Sequence, residues 1–164
     1  MKGRCLTAAL VAGLLWALPA SALMIRYDLQ RLSTGSDKIV IGNVVDTESK
    51  YLVPGRAIYT FVTIDVEEVL KGEISGNELT LRVPGGTVGE ETMVVEHEPD
   101  FMIGEKVLVF AARQVDGQDV LYNAENGKYT IEDGIVVEKG VPLEGYILAI
   151  RAYLDDGHDQ EQGD

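Results

Sequence analysis

The sequence predicts a mainly β protein: an antiparallel barrel, closed or nearly so, with a short helix near the N-terminus and a second helix near the C-terminus. Three observations lead there. From Ile58 to Val66, one face carries Ile58, Thr60, Val62, Ile64 and Val66 and the other Tyr59, Phe61, Thr63 and Asp65; β-branched and aromatic residues at a period of two are a strand signature. Further short β-type runs recur between turn signals such as Pro84-Gly85-Gly86 and Asp116-Gly117, as in small barrels and sandwiches. A helical period occurs only at the two ends of the domain.

Taken in order, the chain opens with Lys2 and Arg4, an apolar run from Leu6 to Leu18, and small residues at Ala20 and Ala22. This is the pattern of a secretory signal peptide cut after Ala22. The run is short of the roughly 20 apolar residues that span a bilayer. Cys5 precedes the run, where a lipoprotein cysteine would follow it. Residues 1–22 are therefore assigned to the signal, 23–154 to one domain and 155–164 to an acidic, disordered tail.

Within the domain, Ile25, Leu29 and Leu32 have helical spacing and predict a helix over Leu23–Ser33. Lys38–Val45 is the first strand, with Gly42 a bulge or crowded backbone position. Asp46–Arg56 reads as a polar loop. The strand that follows continues to Gly72, but after Val66 its phase slips at Glu67-Glu68, which predicts a bulge. Leu79–Val83 is a third strand and Thr92–Val95 a fourth. Lys106–Ala112 is a near-continuous apolar strand, followed by Val120–Tyr122. A last hairpin joins Gly127–Ile131 to Ile135–Val137 through Glu132-Asp133-Gly134. From Pro142, Leu143, Tyr146, Ile147, Ile150, Tyr153 and Leu154 share one helical face. Five or six core strands correspond to an OB-like barrel, with a sandwich of similar strand count as the alternative.

Composition narrows the function classes. The chain has 14 basic and 27 acidic residues, a net charge of −13, and its exported part is more acidic still because Lys2 and Arg4 leave with the signal. Such a surface repels nucleic-acid phosphates and anionic lipid. OB-like barrels that bind single strands use basic grooves and stacking aromatics, so nucleic acid is excluded as a partner, and after signal cleavage so is the membrane. The one cysteine departs with the signal. The domain thus relies on apolar burial in a periplasmic or secreted setting that would permit disulfides.

Four motifs carry a resemblance: S-D-x-I-V-I-G-x-V (Ser36–Val44), Y-T-x-V-T-I-x-V-x-E-V-L-K-G (Tyr59–Gly72), R-V-P-G-G-x-V-G (Arg82–Gly89) and F-x-I-G-E-K-V-L-V-F (Phe101–Phe110). The chain resembles a widespread group of small exported bacterial β-barrel proteins that are mostly uncharacterised. The resemblance covers Ser36–Ile131, and it implies a fold and no chemistry. A weaker likeness is to netrin-like modules, the OB-type barrels of tissue inhibitors of metalloproteases. Their zinc-directed N-terminal cysteine has no counterpart here, because the expected mature start is Leu23-Met24-Ile25.

Catalytic constellations are sparse. Ser33, Ser36, Ser49 and Ser75 lie in neither G-x-S-x-G nor S-x-x-K. The two histidines, His97 and His158, fall short of a three-ligand zinc site and lack H-E-x-x-H; His97 between Glu96 and Glu98 reads as a solvated loop rather than a weak metal site. Asp65, Glu67, Glu68, Glu90, Glu91, Glu132 and Asp133 supply carboxylates for a glycosidase-like pair, although general acidity accounts for their abundance. Asp155-Asp156-Gly157-His158-Asp159 is oxygen-rich without EF-hand spacing. The Pro84–Gly89 loop lacks the G-K-[ST] ending of a P-loop, and its glycines read as positions of positive φ or close approach.

The expectation is a non-catalytic exported binding module with a protein partner, one that restrains or assists an exported enzyme, and with no cofactor, metal or catalytic residue. Its candidate contact loop is Arg82, Pro84, Gly85, Gly86, Thr87, Val88 and Gly89. The alternatives are a carboxylate-based extracytoplasmic hydrolase and a calcium-stabilised envelope component.

Overall fold

The computed structural model describes residues 29–53 and 57–161; the expected signal peptide and the start of the first helix lie outside them. Helix α1 covers residues 29–35. Ten strands follow: β1 (Lys38–Val53), β2 (Ala57–Lys71), β3 (Glu78–Pro84), β4 (Gly86–Val88), β5 (Glu91–Met93), β6 (Lys106–Arg113), β7 (Asp119–Leu121), β8 (Lys128–Glu132), β9 (Ile135–Val136) and β10 (Val141–Pro142). Helix α2, Leu143–Glu161, ends the described chain and runs past Leu154 into the acidic stretch where the composition predicts disorder.

The β2 alternation forms as expected, and its partner is longer than expected. β1 and β2 pair antiparallel from Ile39↔Lys71 out to Val53↔Ala57, so most of the anticipated Asp46–Arg56 loop is strand. Thr47, Glu48, Ser49 and Lys50 are polar on both faces, which hid the period of two. The bulge after Val66 is present: Ile41 faces Glu68 and Gly42 faces Val66, leaving Glu67 unpaired in the ladder. Glu67 instead accepts hydrogen bonds from Asn43 Nδ2 at 2.6 Å and from Lys106 Nζ. Gly42 is crowded for a definite reason. A Cβ there would run into the Asp65 carbonyl oxygen and the Ile64 side chain, so the bulge brings two backbones too close for any other residue.

The expected OB-like antiparallel barrel of five to six core strands is not what forms. Eight strands make one sheet in the order β1-β2-β3-β7-β6-β8-β9-β10, with β1 also paired to β6, while β4 and β5 form a separate hairpin. The sheet rolls, but it is not a closed antiparallel barrel. The β3–β7 contact is parallel and consists of the single pair Leu81↔Asp119. β8, β9 and β10 lead outward from β6 rather than closing a ring. The netrin-like barrel architecture expected for the fold is corrected with it.

The physical reason lies in the first part of β1 and in β6, where buried apolar residues occur on both faces. Val40 and Val44 of β1, with Val107, Val109 and Ala111 of β6, join Val62, Ile64, Leu79, Leu81, Val83 and Leu121 in an inner core. The intervening residues Ile39, Ile41, Leu108 and Phe110 point the other way. They join Leu29 and Leu32 of α1, Tyr129, Ile131 and Val136, and Tyr146 and Ile150 of α2 in an outer core. A barrel interior buries only one face of a strand. Two apolar faces need two covers, so β8–β10 and the helices are laid over the second. This outer layer carries an aromatic chain, with Phe110 and Tyr129 centroids 6.1 Å apart and Tyr129 and Tyr146 5.7 Å apart, both edge-to-face. The turn at Asp133-Gly134 matches its hairpin reading, with φ of +48° and +73° as a two-residue type I′ connection requires.

Two motifs of the resemblance, V-L-K-G and S-D, meet at the C-terminal end of α1. Lys71 of V-L-K-G donates from Nζ to the carbonyls of Ser33 (2.9 Å), Thr34 (2.9 Å) and Ser36 (2.6 Å), closing the C-terminal end of α1 where carbonyls lack helical partners. Burial holds this ammonium below its ordinary pKa, and the Asp37 charge partly opposes that. Asp37 Oδ2 accepts from the Arg113 N–H at 2.7 Å. Lys71→Met keeps the stem and removes the charge-assisted bonds, so it is expected to cost about 1–2 kcal/mol in urea denaturation. A melting curve unchanged from wild type would show that water caps α1 equally well.

Candidate functional site

The P-G-G segment lies against the β1–β2 ribbon because glycine lets it. Gly86 has φ of +131°, and a Cβ there would collide with Ser49 Oγ and Thr60 Oγ1. Those hydroxyls are 2.9 Å apart, and Thr60 Oγ1 donates to the Gly85 carbonyl at 2.8 Å. The Gly85 N–H donates to the Ile58 carbonyl at 2.9 Å. Beyond this contact the chain makes the β4–β5 hairpin, with Gly86↔Met93 through Val88↔Glu91 in register. The hairpin is tied down by Tyr51, whose hydroxyl donates to Glu91 Oε2 at 2.7 Å. That bond to a carboxylate raises the Tyr51 pKa.

Between this hairpin and the segment 94–101 lies a cleft of about 370 Å³. Its base includes Val62 and Val83, both buried. Thr47, Thr60, Thr87 and Thr92 bring hydroxyls to its walls, and Val94 stands 84% exposed at its rim. The outer wall carries Glu98, Pro99, Asp100 and Phe101. A near-buried ion pair holds that wall in place. Lys128 Nζ lies 2.9 Å from Glu105 Oε2 and donates to the Asp100 carbonyl at 2.7 Å. Glu105 Oε1 accepts from the Met102 N–H at 2.8 Å. The Lys128 ammonium also sits 5.0 Å from the Phe101 ring centroid.

Glu98 is the exceptional group of the cleft. Burial alone holds its carboxyl above the ordinary carboxylate range. Among the described residues, no hydrogen bond or ion pair reaches that carboxylate. An acid whose folded pKa is raised costs stability above the raised value and nothing below the unfolded value. Glu98→Gln is therefore expected to stabilise the protein slightly at pH 7, by about 0.5 kcal/mol or less after allowing for solvent screening, and to have no effect at pH 3. Thermal melts at the two pH values check this; equal shifts at both would mean that the charge is not the cause.

The structure divides the expected contact loop. Pro84, Gly85, Gly86 and Thr87 line the cleft, whereas Val88 and Gly89 do not. Arg82 has the opposite parity on β3. Its Nη1 lies 2.6 Å from Asp116 Oδ2 and its guanidinium 5.6 Å from the Tyr59 ring centroid. Arg82 holds the Asp116 carboxyl below its ordinary range. It lines a smaller cleft of about 220 Å³ on the far side of Pro84, which Glu98 also borders. No protein-family model matches the chain, and no curated protein matches it either.

The carboxylates singled out in the sequence are dispersed. Glu67 lies on the bulge, Glu68 pairs with Arg151 at 2.8 Å, Glu91 holds Tyr51, and Asp133 forms a turn. The two carboxylates that do line the cleft, Glu98 and Asp100, come from a stretch that read as a charged, solvated loop. The E-H-E-P-D string itself gave no pointer to them. Only the fold brings that loop over Val62 and Val83. His97 is exposed with φ of +67°. Among the described residues, no group of three or more His, Cys, Asp or Glu side chains is placed to hold a metal ion.

Proposed function

We propose that the protein is an exported, extracytoplasmic binding module that engages a protein partner through the cleft between the β4–β5 hairpin and residues 94–101. The observation that carries this reading is the carboxyl of Glu98, partly desolvated and without a partner among the described residues, in a preformed cleft with an apolar base. Burying a charge without compensation is unfavourable, and such groups cluster at functional sites. Export rests on the Lys2–Ala22 pattern, and it accords with the resemblance to small exported bacterial proteins.

The test is affinity capture from the envelope and secreted fractions, with the protein obtained by expressing the full chain. Val94→Arg alters an exposed rim residue and Leu148→Arg an exposed residue of α2, at 84% and 67% exposure. A protein captured by wild type and by Leu148→Arg, but lost with Val94→Arg, supports the cleft as the contact surface. Capture that Val94→Arg leaves unchanged would sink it. Deleting Gly85–Gly89 is a poor control, because it removes the contact with Ser49 and Thr60 that seats the hairpin.

A second reading, a carboxylate-based hydrolase, is favoured by the same raised acid with Asp100 beside it. The two residues share one short segment rather than opposing each other across the cleft, as paired-carboxylate hydrolysis requires. Turnover of a glycoside or ester substrate, abolished by Glu98→Gln, would establish that reading in place of the first.

A further inference from the structure

We propose that the cleft accepts a lysine or arginine side chain presented by an extended segment of the partner, with the aliphatic stem over Val62 and Val83 and the cationic head at Glu98. The inference rests on the reading of the cleft as the partner surface, and it adds the chemistry recognised there. Two features of the lining converge on this ligand. The base is apolar and the walls carry hydroxyls, which suits a side chain with a hydrocarbon stem and a charged tip. Two carboxylates, Glu98 and Asp100, line the cleft and no basic residue does.

The nearby cations are already engaged. Lys128, behind the outer wall, is neutralised by Glu105, and Arg82, beyond Pro84, by Asp116. Glu98 thus lines the cleft with no hydrogen bond or ion pair to its carboxylate among the described residues, in a chain whose net charge is −13. An anionic ligand would meet repulsion from Glu98 nearby and from the net charge of the chain at longer range. A cation removes the cost of holding Glu98 desolvated, so binding energy and relief of that cost have the same sign. Thr60 Oγ1 already donates to the Gly85 carbonyl and the Thr87 and Thr92 hydroxyls are bonded to each other, so these oxygens serve an extended peptide chiefly as acceptors for its backbone N–H groups.

The test is a titration of the isotope-labelled protein, expressed from the full chain, with the blocked tripeptide acetyl-Thr-Lys-Thr-amide, followed by amide chemical shifts. The norleucine and acetyl-lysine counterparts keep the stem and lose the charge, and putrescine keeps the ammonium without a peptide backbone. Saturable shifts at Gly86, Thr87 and 94–101 for the lysine peptide are expected. Affinity should be about tenfold weaker for acetyl-lysine and for Glu98→Gln, each equivalent to roughly 1.4 kcal/mol. Asp100→Asn serves as a second variant should Glu98→Gln disturb the spectrum of the free protein. Equal affinity for lysine and norleucine peptides, shifts mapping elsewhere, or putrescine binding as well as the peptide would overturn the proposal. Failure of the lysine peptide alongside a captured partner that Val94→Arg abolishes would remove the cation while leaving the cleft as a contact surface.

Discussion

Asp119→Ala is expected to destabilise the protein by about 3–5 kcal/mol, because it strips the countercharge from a near-buried lysine. Asp119 Oδ2 lies 2.7 Å from Lys38 Nζ, with side-chain exposures of 9% and 11%. Arg113 adds bonds from Nε to Oδ1 at 2.9 Å and from Nη2 to Oδ2 at 3.1 Å. These residues come from β7, β1 and β6, and Asp119 is also half of the one residue pair joining β7 to β3. A side-chain ion cluster thus reinforces the place where the backbone ladder is thinnest. Asp119→Asn preserves shape and removes charge, so it should fall between wild type and Asp119→Ala in urea denaturation at pH 7. An alanine variant within about 0.5 kcal/mol of wild type would mean that water replaces the carboxylate and that the seam is held by apolar contacts alone.

Phe110→Ala is expected to cost about 3–5 kcal/mol, the range for truncating a fully buried phenylalanine. Phe110 is 0% exposed and belongs to the outer core beneath the helices, while its neighbour Val109 is 0% exposed and belongs to the inner core. The pair separates the two layers. Hydrogen exchange in Phe110→Ala should rise first at Tyr129, Tyr146 and Ile150, which pack in the same cluster. In Val109→Ala the rise should fall on Val62, Ile64 and Leu81, below the cleft. Uniform loss of protection in both variants would show one cooperative core in place of two layers.

The contrast between these neighbours also explains how much of the architecture was legible. Lys106–Ala112 announces a strand by its run of β-branched and aromatic residues, and a run apolar at both parities announces a strand covered on both faces. The sequence cannot name the cover. β6 demands a second cover without saying which segments supply it, and those segments, β8–β10 and α2, lie far along the chain. The seam was hidden for a related reason. Asp119 follows Asp116-Gly117 in what reads as a polar turn, and its burial depends on Lys38 and Arg113 arriving from two other strands.

The site divides along the same line. Local chemistry marked Pro84-Gly85-Gly86 as a backbone needing glycine, because positive φ and close approach are properties of the residue itself. The structure supplied what is approached, Ser49 and Thr60 of a ribbon that the sequence read as loop. Glu98 carried no local mark. An acid in E-H-E-P-D becomes notable only when the fold brings it to a cleft with Val62 and Val83 at the base and leaves its carboxylate unpaired among the described residues. The sequence by itself thus determined the strand cores of β2, β3 and β6 and the β8–β9 hairpin, the bulge after Val66, the turn at Asp133-Gly134 and the apolar face of α2, each written in the spacing of neighbouring residues. The two-layered core, the Asp119 seam and the cleft were decided only by tertiary structure, because burial and charge compensation depend on groups that meet from distant parts of the chain.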